Sequence, residues 1–156
     1  MKKLASFLLF LTLNFGALAV GSFLMGSSPN ENTWYIELNQ APWTPPGYVF
    51  GLAWTLIMLC FSIYLTFSHV FVLGEKKRRN TYLIHLFLNI IWNPLFFQFH
   101  LTWIAFPILV GLLISLIVLN RQMNYTWKTG HSWLLMPYFI WLIIAGSLNV
   151  YIAIMN

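Results

Sequence analysis

Acidic residues are nearly missing from this chain of 156 residues. There is no aspartate, and the three acidic side chains, Glu31, Glu37 and Glu75, fall outside every long apolar run. No carboxylate is therefore placed to relay a proton through an apolar segment, which argues against a proton-coupled pump. Cysteine is nearly missing too: Cys60 stands alone inside an apolar run, so a disulfide framework or a cysteine-rich metal site has no ligands to use. It is expected to be a small buried hydrophobe. The histidines His69, His85, His100 and His131 fall in loops or toward helix ends without ligand spacing such as His-Glu-x-x-His. His85 is the best placed of them as an axial haem ligand, and the alternative is an ordinary interfacial histidine.

Charge of either sign is scarce, at 7% of residues against about 25% in soluble domains. What fills the chain instead is 60% hydrophobic residues, with 19% aromatics and eight tryptophans. The solvent for most of the chain is lipid. Many of the indoles lie near expected membrane boundaries, where amphipathic rings are favoured.

A hydrocarbon layer about 30 Å thick requires about 20 apolar helical residues. The chain supplies five such runs, at about 4–25, 47–72, 81–99, 103–119 and 133–155. The expected architecture is an all-α integral membrane protein, a single bundle of five transmembrane helices. Gly26-Ser27-Ser28-Pro29-Asn30 closes the first run with turn residues, and Pro45-Pro46 opens the second where proline is tolerated. Pro94 lies inside the third and should kink it. Lys2-Lys3, an apolar stretch and Ala17-Leu18-Ala19 imitate a cleavable signal peptide. The apolar run continues beyond that point to Met25, as a retained helix does.

The eight cations are Lys2, Lys3, Lys76, Lys77, Arg78, Arg79, Arg121 and Lys128, each beside an apolar run. This distribution marks topology rather than nucleic-acid binding. With the N-terminus in the cytoplasm all eight fall on the cytoplasmic side of a five-span chain and none on the other. The expected location is the cell membrane, multi-pass, with the C-terminus and the loop 26–46 external.

That loop combines Trp34-Tyr35 with Pro42-Trp43-Thr44-Pro45-Pro46, rigid enough to fold over an opening, or alternatively to form an interfacial aromatic belt. Positions three, four and seven apart share a helical face. Phe50, Trp54, Ile57 and Phe61 align on the second run. His85, Asn89, Trp92 and Phe96 align on the third, with Asn93 beside them, and Trp141, Ala145, Leu148, Asn149 and Ile152 align on the fifth. Asparagine is costly in lipid, so Asn89, Asn93 and Asn149 should point inward. There they serve either as interhelical glue or as the few orienting groups of an aromatic pocket. The small pairs Ala17/Gly21 and Gly111/Ser115 permit close helix approach, within the bundle or between copies.

Several separated motifs converge on one family. They are Trp34-Tyr35; Pro42-Trp43-Thr44-Pro45-Pro46; Val49-Phe50-Gly51; Trp54-Thr55; Leu88-Asn89; Trp92; Phe96-Phe97; Pro137-Tyr138; Trp141; Ala145; Leu148-Asn149; and Asn156. In these residues, over nearly its whole length, the chain resembles the TspO/MBR family of tryptophan-rich sensory proteins, translocator proteins and peripheral-type benzodiazepine receptors, in its bacterial form. The resemblance implies a five-helix bundle, often a homodimer, with a cavity opening toward the first loop. It also implies tetrapyrrole ligands (protoporphyrin IX, haem), benzodiazepine-type and isoquinoline carboxamide ligands, and in some bacterial members light-dependent porphyrin breakdown.

The implied ligand-binding set is Tyr35, Pro42, Trp43, Phe50, Trp54, Asn89, Trp92, Tyr138, Trp141, Ala145, Leu148 and Asn149. Trp54 and Trp141 would also carry any photochemistry. No metal or resident cofactor is required, porphyrin or haem being the ligand, and lipid is the surrounding partner. The cholesterol motif of animal members ends in Lys or Arg after its tyrosine, whereas Tyr151 here is followed by Ile-Ala-Ile-Met-Asn. Indoles suit the flat apolar body of a tetrapyrrole. Its propionates would have to find indole N–H groups, Tyr35, backbone amides or water. Two other functions compete: a carrier of tetrapyrroles or other amphipaths, and a stress sensor acting through a partner at Lys76-Lys77-Arg78-Arg79.

Overall fold

The computed structural model describes residues 2–67, 75–123 and 131–156. His69, Lys128 and the expected end of the second run at 72 lie outside them. The described residues form six α-helices and no strand: α1 Lys2–Met25, α2 Thr33–Glu37, α3 Gly47–Thr66, α4 Lys76–Asn93, α5 Thr102–Gln122 and α6 Met136–Met155. The third run differs from its expected bounds. It begins at Lys76, and in place of a simple kink Pro94–Gln98 forms a π-helical turn. Pro94 has no N–H to continue the α ladder, and its carbonyl instead accepts from Phe99 N at 2.9 Å. The last run opens with a 3-10 turn, Ser132–Leu135, before Pro137 in the first turn of α6.

Among the described residues four helical segments are long and apolar enough to cross a membrane: Lys3–Met25, Gly47–Thr66, Thr102–Gln122 and Ser132–Met155. The fourth helix is more polar because it opens on four cations and carries His85, Asn89 and Asn93. The long helices close into a ring in which α1 packs between α3 and α4, α5 against α4, and α6 against α5 and α3. Large apolar side chains cover the outside, among them Leu52, Leu56, Phe87, Ile104, Ile114 and Ile143. Buried polar groups, including Asn14, Ser62, His85, Asn89, Ser115 and Asn149, occupy the inside. That inversion is what lipid selects, since soluble proteins rarely leave such apolar area exposed.

Contacts near the two ends sort the chain. At one end Arg78 Nε donates to the Gln122 carbonyl at 3.1 Å, and Lys3 Nζ sits 5.4 Å from the Phe67 ring centroid. At the other, the loop after α1 meets the turn after the π segment. Trp34 stacks on His100 at 4.0 Å, and Asn32 caps α2 through Tyr35 N at 2.9 Å while its amide donates to the Phe97 carbonyl. Gly26 leaves α1 at a φ of 86°, in the left-handed region where a side chain is strained. The small pairs act inside the bundle. A Cβ on Gly21 would lie 2.6 Å from Asn93 Nδ2, one on Gly111 would lie 3.2 Å from Leu88, and Ser115 bonds to His85 at 2.7 Å.

Candidate functional site: a tryptophan-walled cavity

Three indoles from three helices face one space. Trp54 comes from α3, Trp92 from α4 and Trp141 from α6, and they line a cavity of about 460 Å³ with Phe50, Phe97, Asn93 and Ala145. Small-molecule sites usually occupy about 300–1,000 Å³, mostly apolar with a few polar groups. Each indole is held by a neighbour. Phe50 meets Trp141 edge-on at 5.3 Å, Tyr138 meets Trp54 edge-on at 5.8 Å, and Trp92 stacks on Phe96 at 5.5 Å. The Trp92 N–H also points at Asn149 Oδ1, 3.5 Å away, while the Asn149 amide donates to the Thr102 carbonyl at 2.8 Å. Asn149 thus ties the start of α5 to the indole of α4. Adjoining the main space, Tyr35, Leu148, Asn149 and Ile152 close around a residual void of about 20 Å³.

The polar lining is gathered where the first loop crosses the opening: Ser27, Ser28 and Glu31, with Ser22 and Thr55 from the helices. Ser28 Oγ donates to Glu31 Oε2 at 2.8 Å, and Thr55 Oγ1 donates to the Gly51 carbonyl at 2.8 Å. Among the described residues no Lys, Arg or His belongs to this lining.

One layer beneath the indoles is a buried hydrogen-bond network whose directions follow from one another. Ser115 Oγ donates to the Leu112 carbonyl at 2.6 Å, so it accepts from His85 Nδ1–H at 2.7 Å. His85 Nε2 is then the acceptor for the Tyr138 hydroxyl at 3.1 Å, and that hydroxyl accepts from Asn89 Nδ2 at 2.8 Å. Both imidazole nitrogens are engaged, which leaves neither for a metal or haem iron. His85 is 1% exposed, in the middle of α4, and not at a helix end or interface as its sequence position implied. The reason is pairing: Ser115 and Tyr138 give a polar ring the partners that burial demands. Among the described residues no group of three His, Cys, Asp or Glu comes together.

The structure gathers most of the expected site residues but not all. Phe50, Trp54, Trp92, Trp141 and Ala145 line the cavity, and Tyr35, Leu148 and Asn149 line the small void adjoining it. Asn89 and Tyr138 stand one layer away, supporting Trp54 rather than facing the space. Trp43 does not reach the cavity. Its N–H donates to Ser147 Oγ at 3.1 Å and its ring meets Tyr151 at 5.4 Å, on the outer face of α6. Exposed Pro42 stays with it, because the second half of the loop is anchored at Asn39 by Asn156, whose Oδ1 accepts from Asn39 N at 2.9 Å. Only the first half, 26–31, overhangs the opening. Cys60 is partly rather than fully buried.

Sequence reasoning missed the contribution of α1, whose Leu18, Ser22 and Met25 form one wall. That helix has no clear hydrophobic stripe, and its inward face is marked by Asn14, which is buried against Ser62 and Tyr82 and shares a face with Leu18 and Gly21. Gly21 beside Ser22 was the second available signal, since it admits Asn93 of α4 at close range.

The model of the TspO/MBR family matches residues 8–155. The "Tryptophan-rich protein TspO" of Archaeoglobus fulgidus is 30% identical over 100% of this chain and 97% of its own length. The "Tryptophan-rich sensory protein" of Cereibacter sphaeroides is 32% identical over 93% of this chain and 87% of its own. The "Translocator protein homolog" of Schizosaccharomyces pombe is 31% identical over 88% and 86%. With a lipid-facing apolar exterior around an aromatic cavity, and a family match that runs through nearly every helix, this chain belongs to the TspO/MBR family of multi-pass membrane proteins.

Proposed function

We propose that the chain crosses the cell membrane five times with its N-terminus in the cytoplasm, and that its cavity binds flat aromatic amphipaths, tetrapyrroles foremost and benzodiazepine-type or isoquinoline carboxamide compounds alongside them. The fifth span is α4 with its π-helical extension. It runs beside α5 from Arg78 near the end of α5 to Leu101 just before its start, so it covers the same height. Its cations occupy only the first turn, and His85, Asn89 and Asn93 turn inward.

The observation that carries the ligand assignment is the convergence of Trp54, Trp92 and Trp141 on one space. Planar rings pack against indoles by stacking or edge-on contact, and three walls can hold a broad ring in more than one orientation. Breakdown of the bound ring would be photochemical: an excited porphyrin beside Trp54 or Trp141, with dioxygen present, needs no acid–base residue. Carriage across the membrane would need a second opening toward the cation-bearing end, where Tyr64, Leu65, Tyr82 and Leu135 are fully buried. Binding is therefore the function this geometry favours over transport.

Titration of the purified chain with protoporphyrin IX, followed by tryptophan quenching in the dark and porphyrin absorbance under illumination, tests both parts. Trp92→Ala should weaken binding about tenfold or more, in line with the loss of a buried aromatic contact. Trp54→Phe with Trp141→Phe should slow the illuminated loss of porphyrin. Binding untouched by Trp92→Ala would remove the cavity from consideration, and degradation as fast in the double variant as in the parent would remove the indoles from the photochemistry.

A further inference from the structure

We infer that the cavity prefers neutral or cationic amphipaths to dicarboxylates, and that Glu31 at its mouth sets this preference; the inference rests on the small-molecule function proposed above and specifies its ligand class. The charged and most of the polar lining is at one end. Phe50, Trp54, Trp92 and Trp141 form the aromatic walls with the single amide of Asn93 among them, whereas Ser27, Ser28 and Glu31 stand where the loop crosses the opening. An amphipath with an aromatic body must therefore leave its polar end beside the loop, since the reverse pose buries that end among indoles.

Among the described residues Glu31 is the one acidic or basic side chain in the lining. Its place is held from both sides in sequence. Glu31 N donates to the Ser28 carbonyl at 2.9 Å, and the next residue, Asn32, is pinned as the cap of α2 and by the Phe97 carbonyl. The carboxylate accepts from Ser28 Oγ, and among the described residues no cation pairs with it. Lys3, Arg78 and Arg121 belong to the far end of the bundle, and Arg78 is the partner of Glu75 at 3.3 Å. His100 is at the loop end but stacks on Trp34 and lines a separate pocket with Asn156.

A ligand carboxylate at the mouth would thus meet a like charge, with only hydroxyl and amide donors to offset it. A neutral ester or amide meets no such repulsion, and an ammonium gains an attractive partner. Glu31 is exposed, so water screens this repulsion and its effect is modest.

The experiment compares protoporphyrin IX with its dimethyl ester, by tryptophan quenching in nanodiscs of zwitterionic lipid, in the parent, Glu31→Gln and Glu37→Gln. Glu37 lies on the same loop outside the cavity and controls for general charge. The parent should bind the ester several-fold more tightly than the dicarboxylate. Glu31→Gln should narrow that ratio about threefold, the effect of an exposed charge contact, and Glu37→Gln should not change it. Comparing the ratio between parent and variants cancels the ester's greater partition into lipid, which is the same in each, and a partition measured in protein-free nanodiscs corrects the parent's own ratio. A dicarboxylate that binds the parent at least as tightly as the ester, or an ester-to-acid ratio identical in Glu31→Gln, would overturn the charge preference while leaving the cavity as a porphyrin site. If neither porphyrin quenches the parent, the cavity is not a tetrapyrrole site and the preference falls with it.

Discussion

Tyr138→Phe isolates one hydroxyl at the centre of the bundle. The ring itself stays, and with it the edge-on contacts to Trp54 at 5.8 Å and Phe61 at 5.6 Å. What is lost is the group that accepts from Asn89 Nδ2 at 2.8 Å and donates to His85 Nε2 at 3.1 Å. Interhelical hydrogen bonds in membrane proteins average about 0.6 kcal/mol, so two give about 1.2 kcal/mol as a lower figure. Both partners are then left buried without a substitute, which raises the cost toward about 3 kcal/mol. Asn89 has little room to adapt, because its Oδ1 is already buried without a partner.

The expected loss is therefore about 1–3 kcal/mol, measured by denaturant titration of the detergent-solubilised protein. A double-mutant cycle with Asn89→Leu separates the bond from the cavity. If Asn89 and Tyr138 interact directly, the coupling should fall between about 0.6 and 1.7 kcal/mol. A Tyr138→Phe variant as stable as the parent, or strictly additive losses, would refute the assigned network and with it the orientation of His85.

Three shorter expectations follow from the same geometry. Gly21→Ala places a Cβ 2.6 Å from Asn93 Nδ2 and should cost about 1 kcal/mol as that amide swings toward the cavity, whereas Gly16→Ala, with nothing within 4 Å, should be neutral or stabilising by about 0.5–1 kcal/mol; paired thermal melts compare them. Trp43→Phe removes the bond to Ser147 and should speed proteolysis or hydrogen exchange in the loop while changing porphyrin affinity by less than about twofold, within the spread of a contact outside the site; a large affinity loss would place the loop's second half in the site after all. Haem added to the parent and to His85→Gln should give the same absorption spectrum, because neither nitrogen of His85 is free to ligate iron; a shifted Soret band in the variant would contradict this.

Much of the architecture is already legible along the chain, because lipid imposes a linear rule: long apolar runs become helices, cations flank them, and amides inside them turn inward. Those rules find a helix in each of the five runs and bury Asn89, Asn93 and Asn149. Helical periodicity likewise puts Phe50 with Trp54, and Trp141 with Ala145, on shared faces that the structure turns to the cavity. Three features were beyond it. Trp43 and Pro42 are carried to the outside of α6 by a loop whose path depends on the Asn39–Asn156 anchor, a contact between residues 117 apart in sequence. The share of α1 in the cavity depends on which neighbours flank it in the ring, and a helix without a hydrophobic stripe, marked inward by Asn14, gives little sign of that. Burial of His85, and the placing of Glu31 at the mouth of an otherwise uncharged site, arise where separate elements meet. The amino-acid sequence by itself determines that this protein lives in lipid and where it is helical, since transfer out of water is a property of each residue. Which side chains share a space with a ligand is decided by tertiary packing, since that is a property of their relative positions alone.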